Sequence, residues 1–293
     1  MTEEKNKVQP GVLYLVGTPI GNLADLSERA RKVLCDVDFV AAEDTRNSAK
    51  LLTLFGIRKE LVSYHEHNKA SSGERLIARL SAGESCALVT DAGMPAISDP
   101  GEDLVRLCAA AGVVVSVVPG PCAAVSALAL SGISTLRFCF EGFLPVPKSE
   151  RRARLDVLRD ERRTMILYEA PHRLVRTLDD LCALFGGERR IALCRELTKI
   201  NEDVARTTLA GAVAYYAEHE PRGEYVLILE GAEEAGIPEK RETADAFAAL
   251  APEEHVARYE ADGLSHMDAI KAAARDRGIP KSALYKMLLD GKK

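Results

Sequence analysis

Two carboxylates and a guanidinium fall side by side in the hexapeptide AAEDTR, where Glu43, Asp44 and Arg46 follow the apolar run 37–41. A carboxylate pair at a strand end can take a proton from a hydroxyl nucleophile, and an arginine beside it can hold charge at the rim of a site. The same residues suit a helix start, with Asp44 or Thr45 capping and Arg46 facing water. His65 and His67 in YHEHN follow a third apolar run and offer a base, a phosphate contact or, by their H-x-H spacing, a metal pair. No Cys or third His stands near them in sequence to support the metal. His172 and Arg173 in EAPHRL open a helix after Pro171, where main-chain N–H groups and a guanidinium can receive phosphate or merely face solvent. Arg195, Glu196 and Lys199 in CRELTK close another strand with the same two readings.

Three loops could bring such groups to one ligand. In each, an apolar run breaks into Gly, Pro and small residues: GTPIGN at 17–22, DAGMPAISDPG at 91–101 and PGPCAA at 119–124. A strand followed by a backbone-exposing turn is how α/β proteins build a ligand site at a strand's carboxyl end. None of the three is a phosphate-binding G-x-x-x-x-G-K-[ST] loop or a G-x-G-x-x-G dinucleotide fingerprint. Their prolines stiffen the chain, while Gly17, Gly21, Gly93 and Gly120 let a flat ligand approach the main chain. The expected ligand is nucleoside-like, and Asp91 and Asp99 are expected to shape their loop rather than do chemistry.

The elements behind these loops are legible as periodic runs. Val-, Ile- and Leu-rich segments at 12–16, 37–41, 61–64, 87–90 and 113–118 alternate with helical segments such as 26–35 and 74–80, the pattern of a parallel α/β sheet. The pattern restarts with 138–140, 165–168, 191–194 and 225–229, separated by helical segments 151–158 and 173–184. The spacing predicts an N-terminal lobe over 1–130, a second α/β lobe over 131–232, a polar linker over 233–245 and a helical domain over 246–293. Within that last domain, helices at 266–277 and 282–289, the second capped by Ser282, flank the turn GIPK and resemble a helix-turn-helix.

Composition bounds the partners. With 293 residues and 47% apolar content the chain can fill two cores. A net charge of −5 argues against nucleic acid on average, but residues 271–293 carry seven basic and two acidic side chains, and 148–163 carry seven against four. Each cluster is either a phosphate-binding patch or a solvated helix face. Seven scattered cysteines without a C-x-x-C read as reduced core residues. No apolar run approaches the roughly 20 residues of a membrane span, and the N-terminus lacks a signal-peptide layout, so a cytoplasmic protein is expected.

Seven motifs in order, LVGTPIGNLADLSERA, AAEDTRNSAKLL, DAGMPAISDPG, VPGPCAAVSAL, FEGFLP, YEAPHRL and CRELTK, resemble the ribosomal RNA small subunit methyltransferase I family of the tetrapyrrole methylase superfamily. The likeness runs over about residues 13–229, and the tail GIPKSALYKMLL is similar to that family's C-terminal helix-turn-helix. The resemblance implies a two-lobed α/β fold with a small C-terminal helical domain, a homodimer, and a metal-free enzyme. It implies transfer of a methyl group from S-adenosylmethionine to the ribose 2′-oxygen of a cytidine in the decoding region of small-subunit ribosomal RNA, as naked RNA or assembled subunit. Carried over position by position, the cofactor contacts are Gly17, Thr18, Pro19 and Ile20, then Gly93, Met94, Pro95 and Ile97, then Cys122 and Ala123, and Tyr168 and Glu169 from the second lobe. Met94 stands where the family usually has threonine. The resemblance favours the catalytic reading of Glu43, Asp44 and Arg46, with His67 as a further candidate. Two other functions fit parts of the pattern: a tetrapyrrole-precursor C-methyltransferase of the same fold, and a DNA-binding sensor of a small ligand.

Overall fold

A computed structural model describes residues 7–232, 250–261 and 263–290; the expected linker 233–245 and the terminal Lys292 and Lys293 lie outside the described residues. The chain divides into two compact units, Met1–Ala232 and Glu233–Lys293. Among the described residues no helix is long and apolar enough to cross a membrane.

The first unit opens with five β/α steps: β1 (Val12–Val16), α1 (Glu28–Asp36), β2 (Phe39–Ala42), α2 (Thr45–Leu54), β3 (Glu60–Ser63), α3 (Lys69–Ser81), β4 (Cys86–Val89), α4 (Gly101–Ala111), β5 (Val114–Val118) and α5 (Ala123–Ser131). The strands lie in the order β3-β2-β4-β1-β5, every pair parallel. Central strands β2 (FVAA) and β4 (CALV) are buried at every residue, as a parallel sheet covered on both faces requires. In β1 the period of two divides the side chains: Val12, Tyr14 and Val16 join one core with Val33, Leu34 and Val40, and Leu13 joins the opposite core with Phe39, Leu76 and Leu104.

Helix starts follow local chemistry. The Ser27 hydroxyl accepts from the Ala30 N–H at 3.1 Å to begin α1, and the Asp44 carboxylate accepts from the Arg46 N–H at 2.8 Å to begin α2. The run 37–41, expected as strand, is divided: Val37 ends α1 by donating its N–H to the Val33 carbonyl, and the strand starts at Phe39. Its apolar side chain serves the core from a helix end, which an apolar run alone does not distinguish from strand.

This topology fixes where a ligand can enter. From β1 the chain crosses to β2 on one side, whereas from β4 it crosses to β5 on the other, although β1 and β4 are neighbours. The helices that follow β1 and β4 therefore lead away in opposite directions, and the crevice this opens at the carboxyl edge is the usual ligand position of an open α/β sheet.

The second half of this unit contains β6 (Phe138–Phe143), α6 (Lys148–Leu158), β7 (Thr164–Glu169), α7 (Pro171–Phe185), β8 (Arg190–Arg195), β9 (Asp203–Thr208), α8 (Leu209–Glu218) and β10 (Tyr225–Leu229). The sheet order is β6-β7-β10-β8-β9, with only β6 and β7 parallel. β10 (YVLIL) is buried throughout at its centre. β9 (DVARTT) has no apolar run and no counterpart in the sequence reading; it is a polar edge strand. Helix α5 follows the first sheet in sequence but packs Ala124, Ala127 and Leu128 against Ile166, Ala192 and Val226 of the second. The expected junction at 130/131 falls at the last turn of this shared helix.

The second unit holds α9 (Pro252–Ala261), α10 (His266–Asp276) and α11 (Lys281–Asp290) around Val256, Ile270, Ala273 and Leu284. Ser265 caps α10. Helix α11 starts one residue before Ser282, with the Pro280 carbonyl accepting from Ala283 and Leu284, so Ser282 lies inside the helix rather than capping it.

Candidate active site

A cavity of about 350 Å³ opens at the carboxyl edge of the first sheet. Its first wall is mostly main chain. Thr18 and Gly93 exchange N–H···O bonds of 2.9 and 3.1 Å, tying the loop after β1 to the loop after β4, and the Gly17 N–H reaches the Val118 carbonyl at 3.2 Å. Gly17 and Gly120 pack backbone on backbone: a Cβ on Gly17 would lie 2.7 Å from the Gly120 Cα and 2.8 Å from the Met94 Sδ. Only glycine permits that approach. The loop after β4 is held open by Asp99, whose carboxylate accepts from the N–H groups of Ala96, Ile97 and Gly101 at 3.1, 3.0 and 2.7 Å. Ala96 and Ser98 sit there in the left-handed region, at φ 66° and 67°, a strain of the kind that accumulates at ligand sites.

One titratable side chain of this wall stands out. Glu43 lines the cavity from the end of β2, and its pKa is raised by burial first, then by the negative charges of Asp91 and Asp99, with an opposing effect of His65 and a last, smaller contribution from Asp44. A carboxyl displaced toward neutral pH and facing a cavity is equipped to accept a proton. Its neighbours in AAEDTR are placed differently. Asp44 caps α2 and grips Arg46, Nε to Oδ1 at 3.1 Å and Nη2 to Oδ2 at 2.7 Å; this bond lowers the Asp44 pKa to about 2. The Arg46 side chain is 85% exposed, and neither residue lines the cavity.

The second wall is made of side chains. Tyr168 sits edge-on to Phe140 and Phe143, with ring centroids 5.1 and 5.6 Å away, and burial pushes its phenol up to about 12. Glu169 lines the cavity, but its carboxylate is directed inward: it accepts from the Ala170 N–H at 3.0 Å and the Thr177 hydroxyl, and lies 3.3 Å from the Arg173 Nε. Lys199 joins Glu196 and Glu224 at 2.9 and 2.8 Å. The Glu224 N–H also donates to Glu196 at 2.9 Å, and that backbone bond leads the lowering of the Glu196 pKa. Glu196 and Thr198 again have positive φ, 51° and 67°.

Of the sequence candidates, Ile20, Glu43, Gly93, Met94, Ile97, Cys122, Ala123, Tyr168 and Glu169 line this one cavity. Gly17 and Thr18 belong to the main-chain wall, Pro95 is buried and outside the lining, and Pro19 lines a neighbouring cavity. His67 is exposed and away from the lining. The histidine whose charge acts on Glu43 is His65, whose Nδ1 is buried without a hydrogen-bond partner. Arg173 is occupied by the Leu144 carbonyl, at 2.5 Å, and by Glu169. Sequence reasoning missed Phe143 and the start of β10, where Glu224, Tyr225 and Val226 reach the cavity. The one signal for them was that FEGFLP and GEY mark strand ends on the same sheet. The basic cluster at 148–163 is largely neutralised: Arg152, Arg154, Arg159 and Arg163 pair with Asp156, Glu141, Asp156 and Glu161, and Arg151 is buried on Asp180. The side chains of Arg152, Arg154, Arg159 and Arg163 nevertheless remain 60, 45, 48 and 51% exposed.

Known proteins are similar to this chain. The sequence model of the Tetrapyrrole (Corrin/Porphyrin) Methylases matches residues 12–213. Ribosomal RNA small subunit methyltransferase I of Halalkalibacterium halodurans is 48% identical over 94% of this chain and 93% of its own length. The protein of that name from Escherichia coli O157:H7 is 45% identical over 96% and 95%. Among solved structures, uroporphyrin-III-C-methyltransferase from Thermus thermophilus superposes with a TM-score of 0.54 at 24% identity, over 74% of this chain and 94% of that one. Diphthine synthase superposes with a TM-score of 0.57 at 16% identity, over 75% and 90%. These last two likenesses establish the fold.

Proposed function

Because this chain belongs to the tetrapyrrole methylase family and, within it, to the ribosomal RNA small subunit methyltransferases I, we propose that it methylates the 2′-oxygen of a cytidine ribose in the decoding region of small-subunit ribosomal RNA. The observation that carries the chemistry is Glu43, a carboxyl of raised pKa in the wall of the cavity at the switch point of the first sheet.

The cavity suits S-adenosylmethionine as methyl donor. About 350 Å³ is within the range of small-ligand sites, roughly 300–1,000 Å³. The bare Gly17–Gly120 contact and the loop of Gly93, Met94 and Ile97 leave main chain and apolar surface for a nucleoside and an amino-acid moiety. When bound, the donor supplies an electrophilic methyl carbon on a sulfonium. The protein's part is to align the acceptor oxygen with that carbon and exclude water. Glu43 accepts the ribose hydroxyl proton as the oxygen takes the methyl group, and its raised pKa matches it to that transfer. Tyr168, neutral over the working range, offers an aromatic edge and hydroxyl to the donor. Glu169 holds the second wall through Thr177 and Arg173 and so positions Tyr168, its neighbour on β7.

In this reading Lys281, Lys286 and Tyr285, exposed on α11, meet RNA. The protein works in the cytoplasm as a homodimer, and light scattering on the purified chain checks the latter. Incubation with methyl-labelled S-adenosylmethionine and small ribosomal subunits lacking the modification tests the activity. The expected product is 2′-O-methylcytidine, and label recovered on a base instead would overturn the assignment.

A further inference from the structure

Beside the first cavity lies a second, of about 250 Å³, in which Pro19 alone of the expected cofactor contacts takes part. The loop after β1 divides the two: Ile20 faces the first, whereas Pro19, Gly21 and Leu23 face the second. Thr90 and Asp91, at the end of β4, line both. On the far side α2 performs the same division, since Glu43 ahead of it lines the first cavity and Asn47, Leu51 and Leu54 on it line the second. Resting on the RNA-methylation reading above, we infer that the second cavity receives the acceptor as a single ribonucleoside turned out of its strand.

The lining has the chemistry for one. Leu23 and Leu54 are 47% and 67% exposed although they stand in a concavity, so apolar surface is left for the face of a base. Asn47 donates one amide hydrogen to Asp91 at 3.1 Å, which fixes its side chain and leaves its second N–H and its carbonyl for a base edge. Lys50 is exposed one turn from both Asn47 and Leu54, on the same side of α2, and supplies a cation for a flanking phosphate. A nucleoside extruded from RNA is read in this manner, by apolar or aromatic contact on its face and hydrogen bonds on its edge. Arg46, the other exposed cation at this end of α2, is held by Asp44. The shared residues Thr90 and Asp91 then mark where the ribose meets the donor.

Leu54→Asp and Asn47→Ala test the assignment, both at exposed positions where the fold tolerates change. Two quantities are measured on the full chain: donor affinity by calorimetry with S-adenosylmethionine, and steady-state methyl transfer to small subunits. The expected result is a rise in KM for subunits of about tenfold or more in each variant, as loss of a base contact gives, with donor Kd within about twofold of wild type. An active wild type accompanied by equally active variants overturns the second site alone. Donor affinity that falls in step with transfer also overturns it, because the cavity then belongs to the donor. A wild type that transfers nothing defeats the parent reading first, and this one with it.

Discussion

The first sheet meets the cavity with backbone, the second with side chains. Loops after β1, β4 and β5 are joined by Thr18–Gly93 main-chain bonds and the Gly17–Gly120 contact, and one carboxylate, Asp99, sets the curvature of the longest. Across the cavity, Tyr168 is held by aromatic edges, and Glu196, Lys199 and Glu224 hold one another. Both walls contain left-handed non-glycine residues, Ala96 and Ser98 in one, Glu196 and Thr198 in the other. The difference lies in what can adjust. A backbone wall has no rotamers, so an added atom must move the chain; an ion-paired wall can let a side chain swing to water.

Glu43 is the side chain in the first wall with a shifted proton affinity, and its replacement gives the largest effect. Glu43→Gln keeps the shape and removes the base, and kcat for methyl transfer should fall by about 10²–10⁴ with donor Kd unchanged. The wild-type rate should rise with pH through the Glu43 pKa, which lies above the ordinary carboxylate range, and the variant should lose that limb. Stability moves the other way. A raised pKa means that the fold holds the proton more tightly than the unfolded chain, so this contribution is present at low pH and lost as pH rises through the folded value. The variant should therefore melt no lower than wild type at pH 7. A variant that retains its rate would return Glu43 to a packing role and leave the first wall entirely backbone.

Gly17→Ala tests the backbone wall itself. Its Cβ would lie 2.7 Å from the Gly120 Cα and 2.9 Å from the Gly120 N, atoms that cannot rotate away. Overpacking of this kind costs about 1–3 kcal/mol, and because the strain falls on the loops that form the cavity, donor affinity should drop by about tenfold or more. Gly120→Ala should behave alike, since its Cβ meets the Gly17 Cα at 2.8 Å. Calorimetry with the donor and thermal melts read both. Normal donor binding in either variant would break the distinction between the walls.

The same distinction governs how much could be read from the sequence. Backbone walls leave local signatures: Gly and Pro must stand where the chain turns at a strand end, so GTPIGN, DAGMPAISDPG and PGPCAA were legible, as was the loop-shaping part of Asp99. The strands behind them were legible as apolar runs, apart from Val37, which fills the core from a helix end. The side-chain wall left a weaker mark: Tyr168, Glu169, Glu196 and Lys199 were named, but not how they meet. Glu196 and Glu224 are 28 residues apart and meet only because β8 and β10 pair, and β9 has the composition of a loop. Charge counting over a window is incomplete for a related reason. Arg154 in the basic cluster is matched by Glu141 on another element, and no window over 148–163 contains that partner.

The side-chain wall should yield more gently. Lys199→Met leaves Glu196 and Glu224 without their cation, but the Glu224 side chain is 80% exposed and can turn to water. Glu196 retains the Glu224 N–H. An ion pair of this exposure contributes about 0–1 kcal/mol, so the melting temperature should move little and donor affinity by about threefold or less. A tenfold loss of affinity without a stability change would mean that Lys199 touches the donor and that the second wall recognises by charge.

Arg46→Ala should do least, although it alters the motif that drew attention first. Asp44 caps α2 through the Arg46 main-chain N–H, which the variant keeps, so the helix start persists. What changes is the carboxyl: the Arg46 side chain is the leading cause of its low pKa, and without it the value should climb from about 2 toward the ordinary 3.8 without reaching it, the Arg46 and Asn47 N–H groups remaining. A depressed pKa contributes stability above the unfolded value and loses it as pH falls through the folded one. The variant should therefore melt slightly below wild type at pH 7 and converge with it in acid, a pattern visible in melts between about pH 2 and pH 5 and in the carboxyl resonance of Asp44. Methyl transfer should stay within about twofold of wild type, since neither residue lines the cavity. If kcat instead falls with that of Glu43→Gln, then Arg46 leaves Asp44 when RNA binds, and AAEDTR acts as one unit with Glu43 taking the proton and Arg46 holding the acceptor strand.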